Sequence, residues 1–309
     1  MTTPIIENRD RSFAIVTPSY IPDLARCELL AESLDRTAAD VPHYVIVDRH
    51  DYSAFRHLDG GRRRLIEAET LVGSRFWRMP GRKPVWLSAK ALPVRGWIMQ
   101  QILKIAATEA IPERTLIFCD SDNAFFRHFD RNDILIGDRV GLFDDANFVN
   151  DEVRRWTATA RRLLGLAPHD GGYRNYVSQM ICWNRETVKA LQQRIEISTG
   201  VNWQVALART MSFSEYMIYG IFVREVLGYE NTAHAPSAEL VKTSWGWDLT
   251  TDLAIDAFFA NFDRKAVAIM VNSKDGIDPA RYRHHLERLW KEMEESKSML
   301  HRPVSETAS

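Results

Sequence analysis

Three short apolar runs, each closed by a polar cluster, limit what this chain can fold into. Phe13-Ala14-Ile15-Val16 stops at Thr17-Pro18-Ser19, His43-Tyr44-Val45-Ile46-Val47 stops at Asp48, and Leu116-Ile117-Phe118-Cys119 stops at Asp120-Ser121-Asp122. Short runs without strict alternation are the pattern of strands buried on both faces. Between them the period turns helical. Leu24, Leu29, Leu30 and Leu34 recur at helical spacing over residues 22–34, and a second helix is predicted over 96–109, with Pro112 as punctuation before the third run. Residues 64–66 read as a shorter strand. Strand, helix, strand, helix at this spacing predicts an α/β fold with a mostly parallel sheet and helices on both faces.

The second half is less regular. A strand is expected over 140–143 and an amphipathic helix over 151–164. Gly171-Gly172 then breaks the chain before a strand over 177–183. Helices are expected over 186–196, 203–209 and 214–227, a late strand over 267–271 and a charged last helix over 281–297. No repeat or interdomain linker stands out, so the expectation is one domain over 1–300 with a helical C-terminal elaboration, followed by a disordered tail, 301–309.

Composition excludes some functions. Of 309 residues 45% are hydrophobic, ample for a core. Lys plus Arg is 40 against 41 for Asp plus Glu, so no basic excess points to nucleic acid. Arginines cluster at 62–64 and at 154, 155, 161 and 162; these read as solvated faces or as a patch for phosphate or anionic lipid. Cys27, Cys119 and Cys182 lie far apart in apolar surroundings and read as core residues, and no Cys/His cluster suggests zinc. Residues 1–11 show no signal peptide, and no apolar run is long enough to span a membrane. A cytoplasmic protein is expected, with peripheral contact to the inner face of the membrane as a further expectation.

The acidic triplet carries the chemistry. If the strand stays extended, Asp120 and Asp122 present carboxylates to one side, at the strand end where open α/β sheets bind ligands. Two carboxylates there repel unless a cation joins them, and carboxylate oxygens suit Mg²⁺ or Mn²⁺. A surface turn with a helix-capping aspartate is the plainer reading. Dehalogenase-type phosphatases also place Asp-x-Asp after a strand, but usually near the N-terminus, with Thr or Val two residues on; here that residue is Ala124 and two strands come first.

Four motifs make residues 13–247 resemble the glycosyltransferase-A superfold, and within it an uncharacterised group of bacterial proteins. They are Ile15-Val16-Thr17-Pro18-Ser19-Tyr20, then Gly96-Trp97-Ile98-Met99-Gln100-Gln101-Ile102-Leu103-Lys104, then Phe118-Cys119-Asp120-Ser121-Asp122, and Phe213-Ser214-Glu215-Tyr216-Met217-Ile218-Tyr219-Gly220. The resemblance implies a nucleotide-binding part over about 12–130 and an acceptor and catalytic part over about 131–300. Thr17, Pro18, Ser19, Tyr20 and Asp48 would meet the nucleoside. Gln101 and Lys104 would face the donor's sugar and diphosphate, and Asp120 and Asp122, with Ser121 between them, would hold the cation. Gly171-Gly172 matches a glycine-rich turn and His234 a late metal-ligating histidine. Glu215, first after the capping Ser214, would be the base of an inverting reaction; it is followed by Tyr216 where the best-known pattern has a second acid, which leaves inversion or retention open. Trp245 and Trp247 are candidates to stack on a sugar.

The expected activity is metal-dependent transfer of a sugar from a sugar nucleotide to a saccharide or lipid acceptor, in cell-surface glycan or glycolipid synthesis. A phosphatase or nucleotidyltransferase using the same acidic pair, and a non-catalytic carbohydrate-binding protein, stay as alternatives.

Overall fold

The computed structural model describes residues 12–300 apart from 80–84, 169, 170, 262 and 264, and at 296–300 the backbone alone. The segment 1–11, read as lacking a signal peptide, and the tail 301–309 lie outside the described residues. In chain order the main elements are β1 (Phe13–Pro18), α1 (Leu24–Thr37), β2 (His43–Val47), β3 (Arg63–Glu67), α2 (Gly96–Ala110), β4 (Thr115–Cys119), β5 (Asn123–Phe125), β6 (Arg139–Phe143), α3 (Asp151–Leu163), β7 (Met180–Asn184), α4 (Arg185–Thr199), α5 (Glu215–Ile221), β8 (His234–Ser237), β9 (Val241–Thr243), α6 (Asp252–Ala260), β10 (Ala268–Met270) and α7 (Arg283–Leu300). They form two compact units, Met1–Leu24 with Asp40–Ser121 and Arg131–Glu239, and Ala25–Ala39 with Asp122–Asp130 and Leu240–Ser309. Each unit draws on chain from both sides of residue 130.

The first unit is built on a five-stranded sheet in the order β7-β4-β1-β2-β3. β4, β1, β2 and β3 run parallel, and β7 is antiparallel to β4. The expected α/β class with a mostly parallel central sheet is therefore what the chain forms. Val16 lies opposite Tyr44 on one side and Phe118 on the other. Ala14, Ile15, Val16, Val45, Ile46, Val47 and Leu116 to Cys119 are all essentially inaccessible, so both faces of these strands are buried, as unbroken apolar runs require. The chain moves outward from β1 through β2 to β3 and then returns to the other side of β1 as β4. That reversal is a topological switch point, and the strand ends beside it are Thr17-Pro18 and Asp120.

Local signals set the helix ends. The Asn184 side chain accepts hydrogen bonds from the backbone N–H groups of Glu186 and Thr187 to start α4, and Gly200, at φ +70°, ends it. The strand expected from residue 177 starts only at Met180, because Asn175 and Ser178 turn the backbone with their side chains: Val177 N–H donates to Asn175 Oδ1 at 3.0 Å and Met180 N–H to Ser178 Oγ at 3.2 Å. The helix expected over 214–227 is α-helical to Ile221 and π-helical over Phe222–Leu227. A three-stranded antiparallel sheet of Trp77–Arg78, Val85–Ser88 and Ala91–Arg95 was not foreseen; its strands are short, and Pro93 interrupts the last.

The second unit packs α1 beyond Leu24, α6 and α7 with the small sheet β9-β10-β5. Its core joins Leu29, Phe126, Phe258, Phe259, Leu286 and Trp290. Trp290 Nε1 donates to the Phe125 carbonyl at 2.8 Å, and Phe125 N–H donates to Ser33 Oγ at 3.0 Å, so β5's edge is hydrogen-bonded inside that core. Cys27, Cys119 and Cys182 are buried free thiols, as expected. Among the described residues no helix is long and apolar enough to cross a membrane.

Gly220, in α5, offers a test of the packing. A Cβ there would stand 2.1 Å from the Tyr176 ring. Helix propensity alone favours Gly→Ala by roughly 1 kcal/mol. The expected result for Gly220→Ala is the opposite sign, a loss of about 1–3 kcal/mol from overpacking, read by urea denaturation.

Candidate functional site

Lys104 lies two turns into α2 with only 3% of its side chain exposed. Its Nζ is 2.9 Å from Asp120 Oδ1, 3.2 Å from Glu215 Oε1, and donates to Tyr216 Oη at 2.6 Å. One ammonium thus ties α2 to the residue that follows β4 and to the first two residues of α5. Burial alone would push the Lys104 pKa down; the charges of Asp120 and Glu215 and the hydrogen bond to Tyr216 outweigh it and hold it well above the ordinary lysine value. Glu215 is 4% exposed, and its carboxyl is raised, first by burial, with Lys104 pulling it back. Tyr216 is raised well above the ordinary phenol value by burial and stays protonated. Gln101, Lys104, Asp120 and Glu215, singled out separately in the sequence, are therefore brought together.

Two roles change. The Lys104 ammonium is spent on protein oxygens and does not extend to solvent as a free counter-charge. Gln101 is 2% exposed and its Oε1 accepts from Glu215 N–H at 3.0 Å, while Ser214 Oγ accepts from Met217 N–H at 3.4 Å. Gln101 thus helps cap α5 and fixes where Glu215 begins.

The acidic triplet does not stay extended. β4 ends at Cys119, Ser121 and Asp122 form a turn, and β5 starts at Asn123. The alternation that would place both carboxylates on one side is broken there, because the chain leaves the central sheet to pair β5 antiparallel with β10. Asp120 belongs to the first unit and keeps 35% of its side chain exposed; Ser121, at its edge, is buried. Asp122 belongs to the second unit, where its Oδ2 accepts from Ser273 N–H at 3.1 Å and its carbonyl from Val271 N–H at 3.1 Å.

The first-strand loop is mostly inward. Thr17 and Pro18 are buried, Ser19 is half-buried and Tyr20 is 44% exposed. Thr17 Oγ1 is 3.1 Å from His43 Nε2, and Arg63 Nε donates to His43 Nδ1 at 3.0 Å, so Nε2 carries the ring proton and Thr17 accepts it. Arg63, read from the sequence as part of a solvated face or of a patch for phosphate or anionic lipid, is buried for this contact. Asp48 pairs with Arg78 at 2.5 Å and accepts from Asp51 N–H at 3.0 Å.

His234, expected as a metal ligand, is fully buried with both nitrogens engaged. Nδ1 lies 3.2 Å from the Val140 carbonyl, which can only accept, so Nδ1 is protonated and Nε2 accepts the Tyr219 hydroxyl proton at 2.6 Å. Burial brings its pKa down to about 4, so the ring is neutral at neutral pH. In the second unit Trp245 and Trp247 are 50% and 38% exposed on the turn after β9, and Lys242 Nζ lies 5.3 Å over the Trp247 ring. Gly172, at φ +67°, lines a cavity of about 150 Å³ in the first unit with Arg174, Tyr176 and Arg224. Beside it Asp144 accepts from Arg174, Arg224 and the Tyr229 hydroxyl.

Tyr216 and Arg78 are the residues that sequence reasoning missed. Tyr216 was noted only as a departure from an expected acid, and its place next to Glu215 was the one signal available. Arg78 sits in the unforeseen small sheet and carried none.

The chain belongs to a family of unknown function, DUF6492, whose model matches residues 12–294. No curated protein matches the sequence. Among solved structures, the galactosyltransferase LgtC in complex with donor and acceptor sugar analogues aligns over 92% of this chain and 95% of that one, at 14% identity and a TM-score of 0.46. That overlap is too low to carry an argument about activity.

Replacing Lys104 by Met removes the cation between Asp120 and Glu215. The expected loss of stability at neutral pH is about 3 kcal/mol, the lower end for breaking a buried pair because Asp120 is partly solvated. Without Lys104 the Glu215 carboxyl rises further. A group raised in the folded state favours folding as pH falls, so the deficit against wild type shrinks from pH 8 to pH 5 in urea titrations.

Proposed function

We propose that this protein is a glycosyltransferase that moves a sugar from a sugar nucleotide to a saccharide or lipid acceptor. The observation that carries the reading is the Lys104 cluster, an acid, a base candidate and a phenol held on one ammonium beside the switch point of a parallel sheet. The sequence motifs that resemble glycosyltransferase-A enzymes supply Lys104, Asp120, Glu215 and Tyr216, which supports the same reading.

In this reading Glu215 takes the proton of the acceptor hydroxyl as that oxygen bonds to the anomeric carbon and the bond to the donor's phosphate breaks. A carboxyl raised by burial and restrained by one cation accepts a proton more readily than a free carboxylate does. Lys104 and Tyr216 are positioning residues: they hold Glu215 and Asp120 in place and keep two acids from repelling each other. If the sugar is transferred with retention, Glu215 orients the acceptor without taking its proton. Tyr20, exposed after β1, packs on the nucleoside base, and Ser19 bonds to it. Trp245 and Trp247, exposed in the second unit, are rings of the kind that stack on sugars.

Mn²⁺ or Mg²⁺ is the cation such a donor brings. Carboxylates are the hard oxygen ligands these ions select, so Asp120, which keeps 35% of its side chain exposed in the first unit, fits by chemistry. His234 does not fit, since both its nitrogens are engaged and it is fully buried. When bound, the cation would stabilise negative charge on the departing diphosphate.

The test is release of nucleoside diphosphate from a panel of sugar nucleotides with Mn²⁺, with and without acceptor sugars. At least one donor is expected to turn over. Activity should fall on the order of 100-fold or more in Asp120→Asn and Glu215→Gln, the scale of a lost acid–base group. Variants first pass a check for a wild-type circular dichroism spectrum. Full activity in Asp120→Asn, or hydrolysis of phosphomonoesters with no sugar nucleotide consumed, would overturn the reading.

A further inference from the structure

The second unit gathers two histidines and an aspartate that no sequence pattern joins. His284 and His285 are neighbours in the first turn of α7, and Asp256 lies on α6. One ligand atom from each lies within 4.8 Å of the other two. His285 is the informative member. It is 4% exposed, its ring stacks on Phe259 at 4.7 Å with an interplanar angle of 11°, and its Nε2 is 3.0 Å from Asp256 Oδ1. Neither of its ring nitrogens has a hydrogen-bond partner of good geometry among the described residues. His284 lies over it, with ring centroids 4.0 Å apart, and is exposed, as is Asp256.

A neutral imidazole has one N–H and one lone pair, and each needs a partner when buried. If the proton is on Nε2, its alignment on Asp256 is poor and the Nδ1 lone pair is left bare. If it is on Nδ1, that N–H has no acceptor among the described residues and Nε2 lies 3.0 Å from a carboxylate oxygen, a repulsive contact unless a cation joins the two. Arg288 is the nearby like charge that an ion would have to tolerate, and Asp256 is the acid that offsets it.

We propose that Asp256, His284 and His285 bind a divalent transition-metal ion of the zinc type, which staples α6 to α7. Two imidazoles and one carboxylate are borderline ligands that select Zn²⁺ over Mg²⁺ or Ca²⁺. With bonds to nitrogen and oxygen near 2.1 Å, a tetrahedral ion sets its ligand atoms about 3.4 Å apart. The Asp256–His285 pair is already close to that spacing, and the exposed His284 ring closes the remainder by a side-chain rotation. Water takes the fourth position. Its nitrogen-containing ligand set differs from the carboxylate oxygen proposed for the donor's cation.

The experiment uses full-length protein without a polyhistidine tag, Zn²⁺ alone as the probe, and competition with a chromophoric chelator. Wild type is expected to bind Zn²⁺ at this site and to melt at higher temperature when it does so. His284→Ala and Asp256→Asn replace exposed side chains and should fold; each is expected to weaken Zn²⁺ binding at least tenfold and to abolish the metal-dependent shift. Asp120→Asn should bind Zn²⁺ as wild type does. Co²⁺ in place of Zn²⁺ should give visible absorption bands that both His284→Ala and Asp256→Asn lose. No Zn²⁺ binding by wild type, or unchanged binding in both of those variants, would overturn the proposal.

Discussion

The buried ammonium of Lys104 is the interaction on which the candidate site depends. A charge out of water is tolerated only when matched, and here the match comes from three oxygens on two different elements. That requirement fixes the end of β4 and the start of α5 relative to α2. Gln101, one helical turn earlier on α2, accepts from the first N–H of α5, so α2 sets both the charge balance and the starting point of that helix. Trp183 extends the arrangement inward, with its ring 5.9 Å from Tyr216 and 5.0 Å from Tyr219.

Tyr219 begins a second polar chain. It accepts from Asn184 N–H at 2.9 Å and donates to His234, whose other nitrogen donates to the Val140 carbonyl. Every donor in this chain meets an acceptor, which is the condition for a buried polar network to rigidify a core. Asn184 also caps α4, so the same residue ends β7, starts a helix and meets the Tyr219 hydroxyl. A histidine that looks like a ligand by its place in the sequence is here a member of that network.

The acidic triplet marks a change of structural allegiance along the chain. Asp120 closes the central sheet of the first unit, and by Asn123 the backbone is pairing within the small sheet of the second. A turn at Ser121-Asp122 is what lets three residues make that change, and it gives each aspartate its own surroundings: an ammonium for Asp120, backbone N–H groups of the second unit for Asp122.

The sequence by itself determined the parallel core. Apolar runs at 13–16, 43–47 and 116–119 have too few polar atoms to face water, so they had to be interior strands, and the helical periods between them made the crossovers parallel. The motifs that resemble glycosyltransferase-A enzymes also pointed to Gln101, Lys104, Asp120 and Glu215. Tertiary structure alone decided what those groups do. Periodicity carries no information on which distant side chain meets another, so nothing local showed that Tyr216 would receive Lys104, that Thr17 would turn inward to His43, or that His234 would spend both nitrogens. The turn after Asp120 was hidden for a related reason: β5 is a strand only because β10, far along the chain, supplies its edge. The Asp256, His284 and His285 group was invisible in the same way, since it exists only where α6 and α7 pack.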